Sequence, residues 1–397
     1  MQIIFQLIIG IALGLVIGLV PLFHINFFAY ILAVTSLFFL FKDFFYFFLA
    51  FAISLTISNF VPLCLTNIPS ENNLLAQFPT LALFKKGLAK KAIMLLLVGS
   101  LLGGLFSILF LPLLYLLFSS LFNFHIFISG FIIFVLLIFL FEEKDLFSKL
   151  IVLSILIFAG VLGILTLKYN LFLKEPLVVC IMGLFILPTF LISIFSKSKK
   201  IKQNRSTMFL EDLNLKTTIG NCILAVISSM FIMLIPSFSS SQSSLVISKI
   251  KTKLSVEEYL VIYSAIAVSS IIFAFFLAIY FATARIGFLS YLLAQDILNN
   301  VNVIIFACAI LFVISLVILI IFILADKLIS IYNLLNIKLV NIIMLLLSIV
   351  IVFCLSGLLG LLFLIISTAI GFLPIIYNKN RMLLMSYLMI PTLLIYL

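Results

Sequence analysis

The side chains able to hold a solute in this chain fall into three short clusters set between long apolar runs. The first runs from Pro21 to Asn26 and offers the imidazole of His24 and the amide of Asn26. The second follows Pro62 and carries Thr66, Asn67, Ser70, Glu71 and Asn72 before the chain turns apolar again towards Ala82. The third follows Pro236 and reads Ser239, Ser240, Ser241, Gln242, Ser243 and Ser244. Hydroxyls and amides with no cation among them suggest neutral hydrogen bonding to an anion. A helix resuming near Gln242 adds free N–H groups at its N-terminus, which can hold a carboxylate without an arginine. Carbonyls released at a proline suit a small cation. Each cluster also has a plainer reading, as an inter-helix loop that Pro, Asn and Ser favour, with His24 as a packing residue.

The first and third clusters repeat one pattern 215 residues apart: an apolar run, a proline, then a polar loop. Pro21 and Pro236 are the matching positions. Inside a bilayer a broken helix leaves backbone groups that lipid cannot satisfy. Interrupted segments at corresponding places in two halves therefore point to a transport site. The alternative is that each helix simply ends at its proline, at a membrane face.

The elements that must position these clusters are membrane helices. Of the residues 66% are hydrophobic and 9% charged, with a mean hydropathy of +1.48, and apolar runs long enough to cross a bilayer recur from end to end. Alternation of the β-barrel kind is absent. The predicted fold is an all-α, polytopic transmembrane helical bundle of about ten to twelve spans. Spans are expected near 2–20, 27–41, 44–60, 92–118, 122–141, 149–168, 176–195, 218–236, 257–283, 302–325, 335–354, 355–375 and 382–397, some of them half-helices. The stretch 62–83 is read as re-entrant. On that count seven spans precede the polar stretch 196–216, and an odd number inverts the second half relative to the first. The chain thus divides into an N-terminal membrane repeat (1–195), a basic cytoplasmic linker (196–216) and a C-terminal membrane repeat (217–397).

The net charge of +11 resides in short loops. It reports orientation and contact with anionic headgroups, and no nucleic-acid binding is expected. Lys85, Lys86, Lys90 and Lys91, the run around Lys199, and Asn378 to Arg381 are placed on the cytoplasmic side, in a multi-pass protein of the cell membrane. Cys64, Cys180, Cys222, Cys308 and Cys354 lack metal or redox spacing and read as small buried hydrophobes. Asp326 and Lys327 end a predicted span and read as interfacial, whereas Arg285 is open between interface and site. The P-loop, HExxH, GxSxG and dinucleotide-binding motifs are missing, so neither an enzyme nor an ATP-driven pump is expected, and no cofactor beyond a coupling Na+ or H+.

The run from Ser367 onward, STAIGFLPIIYNKNRMLLMSYLMIPTLLIYL, resembles the end of the archaeal branch of TctA-like proteins, the large membrane subunit of tripartite tricarboxylate transporters. Further back, GLVPLFHIN is similar to the family's first proline loop and LCLTNIPSENNLLAQFP to its second. IPSFSSSQSS resembles the P-G-x-x-x-S-Q loop, and Ala284 to Gly287 its Arg-x-Gly turn. The order of these matches carries the resemblance. It implies a two-halved permease that moves a small anionic, carboxylate-like solute on a cation gradient. It further implies a small membrane subunit and an extracytoplasmic binding protein as partners. The glycine expected after each proline is Leu22 in one loop and Ser237 in the other. That departure bears on the substrate, and a scaffold or lipid-handling protein retaining the fold is the alternative.

Overall fold

The computed structural model describes residues 2–20, 45–66, 77–121, 125–141, 143–169, 173, 175–195, 203, 214–234, 240–251, 254–283, 289, 293 and 301–396. Every regular element among them is helical. In chain order they are α1 (Gln2–Gly18), α2 (Phe45–Ser58), α3 (Phe60–Thr66), α4 (Gln77–Lys85), α5 (Ala89–Leu121), α6 (His125–Phe141), α7 (Leu146–Gly163) and α8 (Pro176–Ile181). There follow α9 (Leu187–Phe195), α10 (Leu215–Leu234), α11 (Ser240–Ile250), α12 (Val256–Phe281), α13 (Val303–Leu334), α14 (Ile337–Ile376) and α15 (Ser386–Tyr396). Eight apolar helical stretches among the described residues are long enough to cross a membrane, and three shorter ones join them. The protein is a multi-pass membrane protein.

The chain folds into two compact units. The first holds residues 1–120, 200–233 and 239–335; the second holds 121–199, 234–238 and 336–397. Each unit therefore draws on both sides of the basic stretch.

Small residues set the helix spacing in the first unit. Gly10, Gly14 and Gly18 form one stripe on α1, facing Ala50, Ser54 and Ser58 on α2. A Cβ at Gly14 would meet the Phe51 carbonyl at 2.7 Å as well as the Ser54 hydroxyl, so the backbones touch where only glycine fits. The Ser58 hydroxyl donates to the Gly14 carbonyl at 3.0 Å, and Ser54 reaches the Gly10 carbonyl. These pairs keep their register along the contact, so α1 and α2 run parallel.

In the same unit α10 and α12 also run parallel. The Ser269 hydroxyl of α12 donates to Ser229 of α10 at 2.8 Å, and Asn221 donates to Glu258. The pair Ser229–Ser269 is Gly14–Ser54 displaced by 215 residues, the spacing that separates the two prolines. The lengths follow the same displacement. At 17 residues α1 matches the 20 of α10, and α5 and α13 span 33 and 32.

Corresponding helices meet antiparallel. Lys90 at the start of α5 reaches Asp326 near the end of α13, and Gly104 faces Ile314 at mid-length. Likewise Phe45 of α2 packs edge-on against Phe275 of α12 at 5.9 Å, while Phe60 of α3 packs on Tyr263 at 5.9 Å.

The second unit is built on α14 and α7. Gly357 breaks α14 with φ +61° and ψ −150°, a conformation reserved for glycine, and separates two helical arms where two spans are predicted. Ser367 and Gly371 let α14 lie against the backbone of Gly183 and Leu184. Two π-turns, Ile164–Lys168 and Met182–Ile186, widen the neighbouring helices. Asp145 caps α7, and the Ser148 backbone N–H holds its carboxyl below the ordinary carboxylate range.

Three expectations need correction. Helix α13 continues to Leu334, so Asp326 and Lys327 lie within it instead of at its end. The predicted third span does not stop near residue 60: helix resumes at Phe60 and carries the apolar run to Leu65. Cys64, Cys180 and Cys222 are buried, but Cys308 and Cys354 are exposed on helices whose outer faces are apolar. Thiols are apolar enough to face lipid there.

Candidate functional site

Helices α10 and α11 form a hairpin in the first unit, and α12 lies along it. Near the open end Lys251 donates to the Asn221 side-chain carbonyl, and Asn221 passes its own amide hydrogens to Glu258 at 3.3 Å. Asn221 is fully buried, and an amide satisfied as both donor and acceptor is what such a position tolerates. Glu258 also accepts from the Ser255 backbone, closing a capping box that starts α12. Lys91 of α5 pairs with the adjacent Glu257 at 2.7 Å.

Towards the other end of α11 the contacts become uncharged. Ser243 shares a hydrogen bond of 2.5 Å with Ser228 of α10. Ser244 shares one of 2.8 Å with the Tyr259 hydroxyl of α12. Ser240, Ser243 and Ser244 are all buried at the first turns of α11. One turn along α12 from Tyr259, the buried Tyr263 carries Phe60, next to Asn59 where α2 gives way to α3. Two neighbouring tyrosines of one helix thus hold the third sequence cluster on one side and the approach to the second on the other. Pro62, Leu63 and Cys64 lie within α3, and Leu63 and Cys64 are buried.

Of the residues singled out from sequence, Ser240 and Ser243 are placed in this buried polar turn. Ser241 and Gln242 belong to the first turn of α11, and Thr66 closes α3. Pro21, His24, Asn26, Asn67, Ser70, Glu71, Asn72, Pro236 and Ser239 lie outside the described residues, as do Arg285 and Asp296. The structure adds Ser228, Tyr259, Asn221 and Glu258, which sequence reading passed over. For Asn221 and Tyr259 the available signal was a polar group within an apolar helical run; Ser228 and Glu258 had no distinguishing spacing. No group of acidic, histidine or cysteine side chains suited to a metal ion occurs among the described residues.

The tripartite tricarboxylate transporter TctA family matches residues 4–386. The chain belongs to the TctA family. This TctA protein is 27% identical over 315 residues to an uncharacterised protein of Methanocaldococcus jannaschii, covering 77% of this chain and 76% of that one. No solved structure matches it. TctA proteins are the large membrane component of tripartite tricarboxylate transporters, a transporter component and not an enzyme family.

Proposed function

We propose that this TctA protein is a secondary-active permease for a small anionic, carboxylate-like solute, driven by a Na+ or H+ gradient. The site is the hairpin between α10 and α11, joined by the clusters at Pro21–Asn26 and Asn67–Asn72. The observation that carries the reading is the depth of this hairpin. Lys251, Glu257, Glu258 and Lys91 mark a water-facing level, because charges of this kind are costly in lipid. From Asn221, Leu234 lies thirteen residues further along α10, about 20 Å at 1.5 Å per residue. Ser240 is eleven residues back from Lys251, about 16 Å. In a hydrocarbon core of about 30 Å both ends fall near the middle, where a helix start aims its free N–H groups at an anion.

The parallel pairs displaced by 215 residues and the antiparallel meeting of α5 with α13 support two inverted repeats. In this arrangement the halves 1–195 and 217–397 interleave, each contributing to both compact units. A small membrane subunit and an extracytoplasmic binding protein are the partners proposed with it.

The test is uptake of labelled citrate and related carboxylates into proteoliposomes under imposed sodium or proton gradients, with Gln242→Ala and Asn67→Ala beside the parent. The reading expects gradient-driven uptake that both substitutions weaken while the protein stays folded. Losing one hydrogen-bond partner costs about 1–3 kcal/mol, roughly five- to 150-fold in affinity. A parent that moves no carboxylate under either gradient supports the scaffold alternative. Uptake untouched by both substitutions keeps the function and rejects these residues.

A further inference from the structure

Arg381 sits in the second unit, remote in sequence from the proposed transport site, at the turn between α14 and α15. Its guanidinium donates to the Phe185 carbonyl at 2.7 Å and to the Thr189 hydroxyl at 3.0 Å. Both partners are neutral. They belong to the segment where the π-turn Met182–Ile186 runs into α9, with Pro188 between them. The Nε atom is buried and has no hydrogen-bond partner. No carboxylate pairs with this guanidinium among the described residues. Glu143, an acid that reaches this turn, is taken by Lys379 at 2.7 Å.

A guanidinium offers five N–H donors in a planar fork, and only two are used here. Withdrawing a charge from water without a counter-ion is costly, and such groups are normally paired. Nε–H and a terminal N–H form the edge that grips the oxygens of a phosphate or carboxylate in bidentate fashion. The surroundings specify which anion. Ile376, 66% exposed, and Tyr377, 46% exposed, end α14 beside the turn. The apolar stretch Lys338–Ile376 has only 17% of its window buried, so its outer face is a wall for acyl chains. The turn Asn378–Arg381 carries the basic signature of the cytoplasmic leaflet, where lipids with anionic headgroups gather.

We infer that Arg381 is the core of a binding site for a phosphate group, supplied by an anionic phospholipid whose chains lie along the outer face of α14. Thr189 and the Phe185 carbonyl act as positioning groups that hold the guanidinium plane while its remaining terminal N–H groups take the headgroup. The inference stands apart from the transport reading and survives its failure.

The experiment compares the parent with Arg381→Gln and Arg381→Lys in nanodiscs of pure phosphatidylcholine and of phosphatidylcholine mixed with phosphatidylglycerol. Thermal unfolding and native mass spectrometry are the readouts. Phosphatidylglycerol should raise the melting temperature of the parent and remain bound after lipid exchange. The Gln variant should lose both effects, with affinity reduced about 10- to 150-fold, the range of one charge-assisted hydrogen bond. The Lys variant keeps the charge without the fork and should bind more weakly than the parent, but measurably. Inorganic phosphate added to phosphatidylcholine discs is the control for source. An Arg381-dependent rise with phosphate and none with phosphatidylglycerol keeps the site and assigns it to the free anion. A phosphatidylglycerol effect that persists in the Gln variant overturns the proposal. So does a parent indifferent to both ligands. Should the Gln variant not fold, a Lys variant that holds the lipid as tightly as the parent rejects the fork geometry.

Discussion

Ser244 of α11 and Tyr259 of α12 join hydroxyl to hydroxyl at 2.8 Å, both buried. This bond fixes the serine-rich turn against a helix that crosses the whole membrane. Tyr259→Phe keeps the ring and removes the hydroxyl, leaving Ser244 with one partner fewer. The expected cost is about 1 kcal/mol of stability. Transport should suffer more than stability does, because the turn loses its alignment. Uptake kinetics in proteoliposomes set beside thermal unfolding in detergent check this; equal, small changes in both would assign Tyr259 to packing alone.

Gly14 and Ser229 occupy corresponding places, yet they should respond differently to substitution. Gly14→Ala drives a methyl group towards the Phe51 carbonyl, which cannot move without parting α1 from α2. A loss on the order of 1–3 kcal/mol is expected from overpacking. Ser229 already accommodates a Cβ and lends its oxygen to Ser269. Ser229→Ala should cost only about 1 kcal/mol, the worth of one hydrogen bond. Denaturation of both variants under identical detergent conditions decides the comparison, and a tolerant Gly14 would count against the tight helix pair.

Lys90 and Asp326 pair at 2.7 Å, with the lysine side chain 7% exposed and the aspartate 52%. Asp326→Asn removes the carboxylate charge beside a buried ammonium, whereas Lys90→Met leaves a carboxylate that water can reach. The first should therefore destabilise more than the second, by about 1–2 kcal/mol once the exposure of Asp326 is allowed for. The double variant should recover part of the loss. A double-mutant cycle with no coupling energy would show that the pair contributes nothing.

Membrane helices were legible because hydropathy alone specifies them, down to the break between the last two long spans that Gly357 makes. What the sequence concealed was partnership. Asp326 follows a long apolar run, and its partner Lys90 lies 236 residues away. The role of Tyr259 depends on Ser244, which folding brings to it. The hydroxyls of Ser54 and Ser58 reach carbonyls across a glycine stripe that only the folded chain brings to them. Hydrophobic pattern sets where helices run, while the polar contacts between them depend on register, which a single chain does not advertise.

The ion pairs at the start of α5 have a consequence for any cycle the protein performs. Displaced by 215 residues, Lys90 falls on Ile305 and Asp326 falls on Leu111, so the opposite end of the same helix pair has an apolar couple where this one has charges. Two halves of identical chemistry would make inward-open and outward-open forms equal in energy. In the proposed cycle, opening at this end would part a lysine from an aspartate, and opening at the other end only hydrocarbon from hydrocarbon. If the proposed inverted repeats carry an alternating-access cycle, this asymmetry would favour the form that keeps the lysine–aspartate contact, and raising the ionic strength, which screens only the charged end, should weaken that preference.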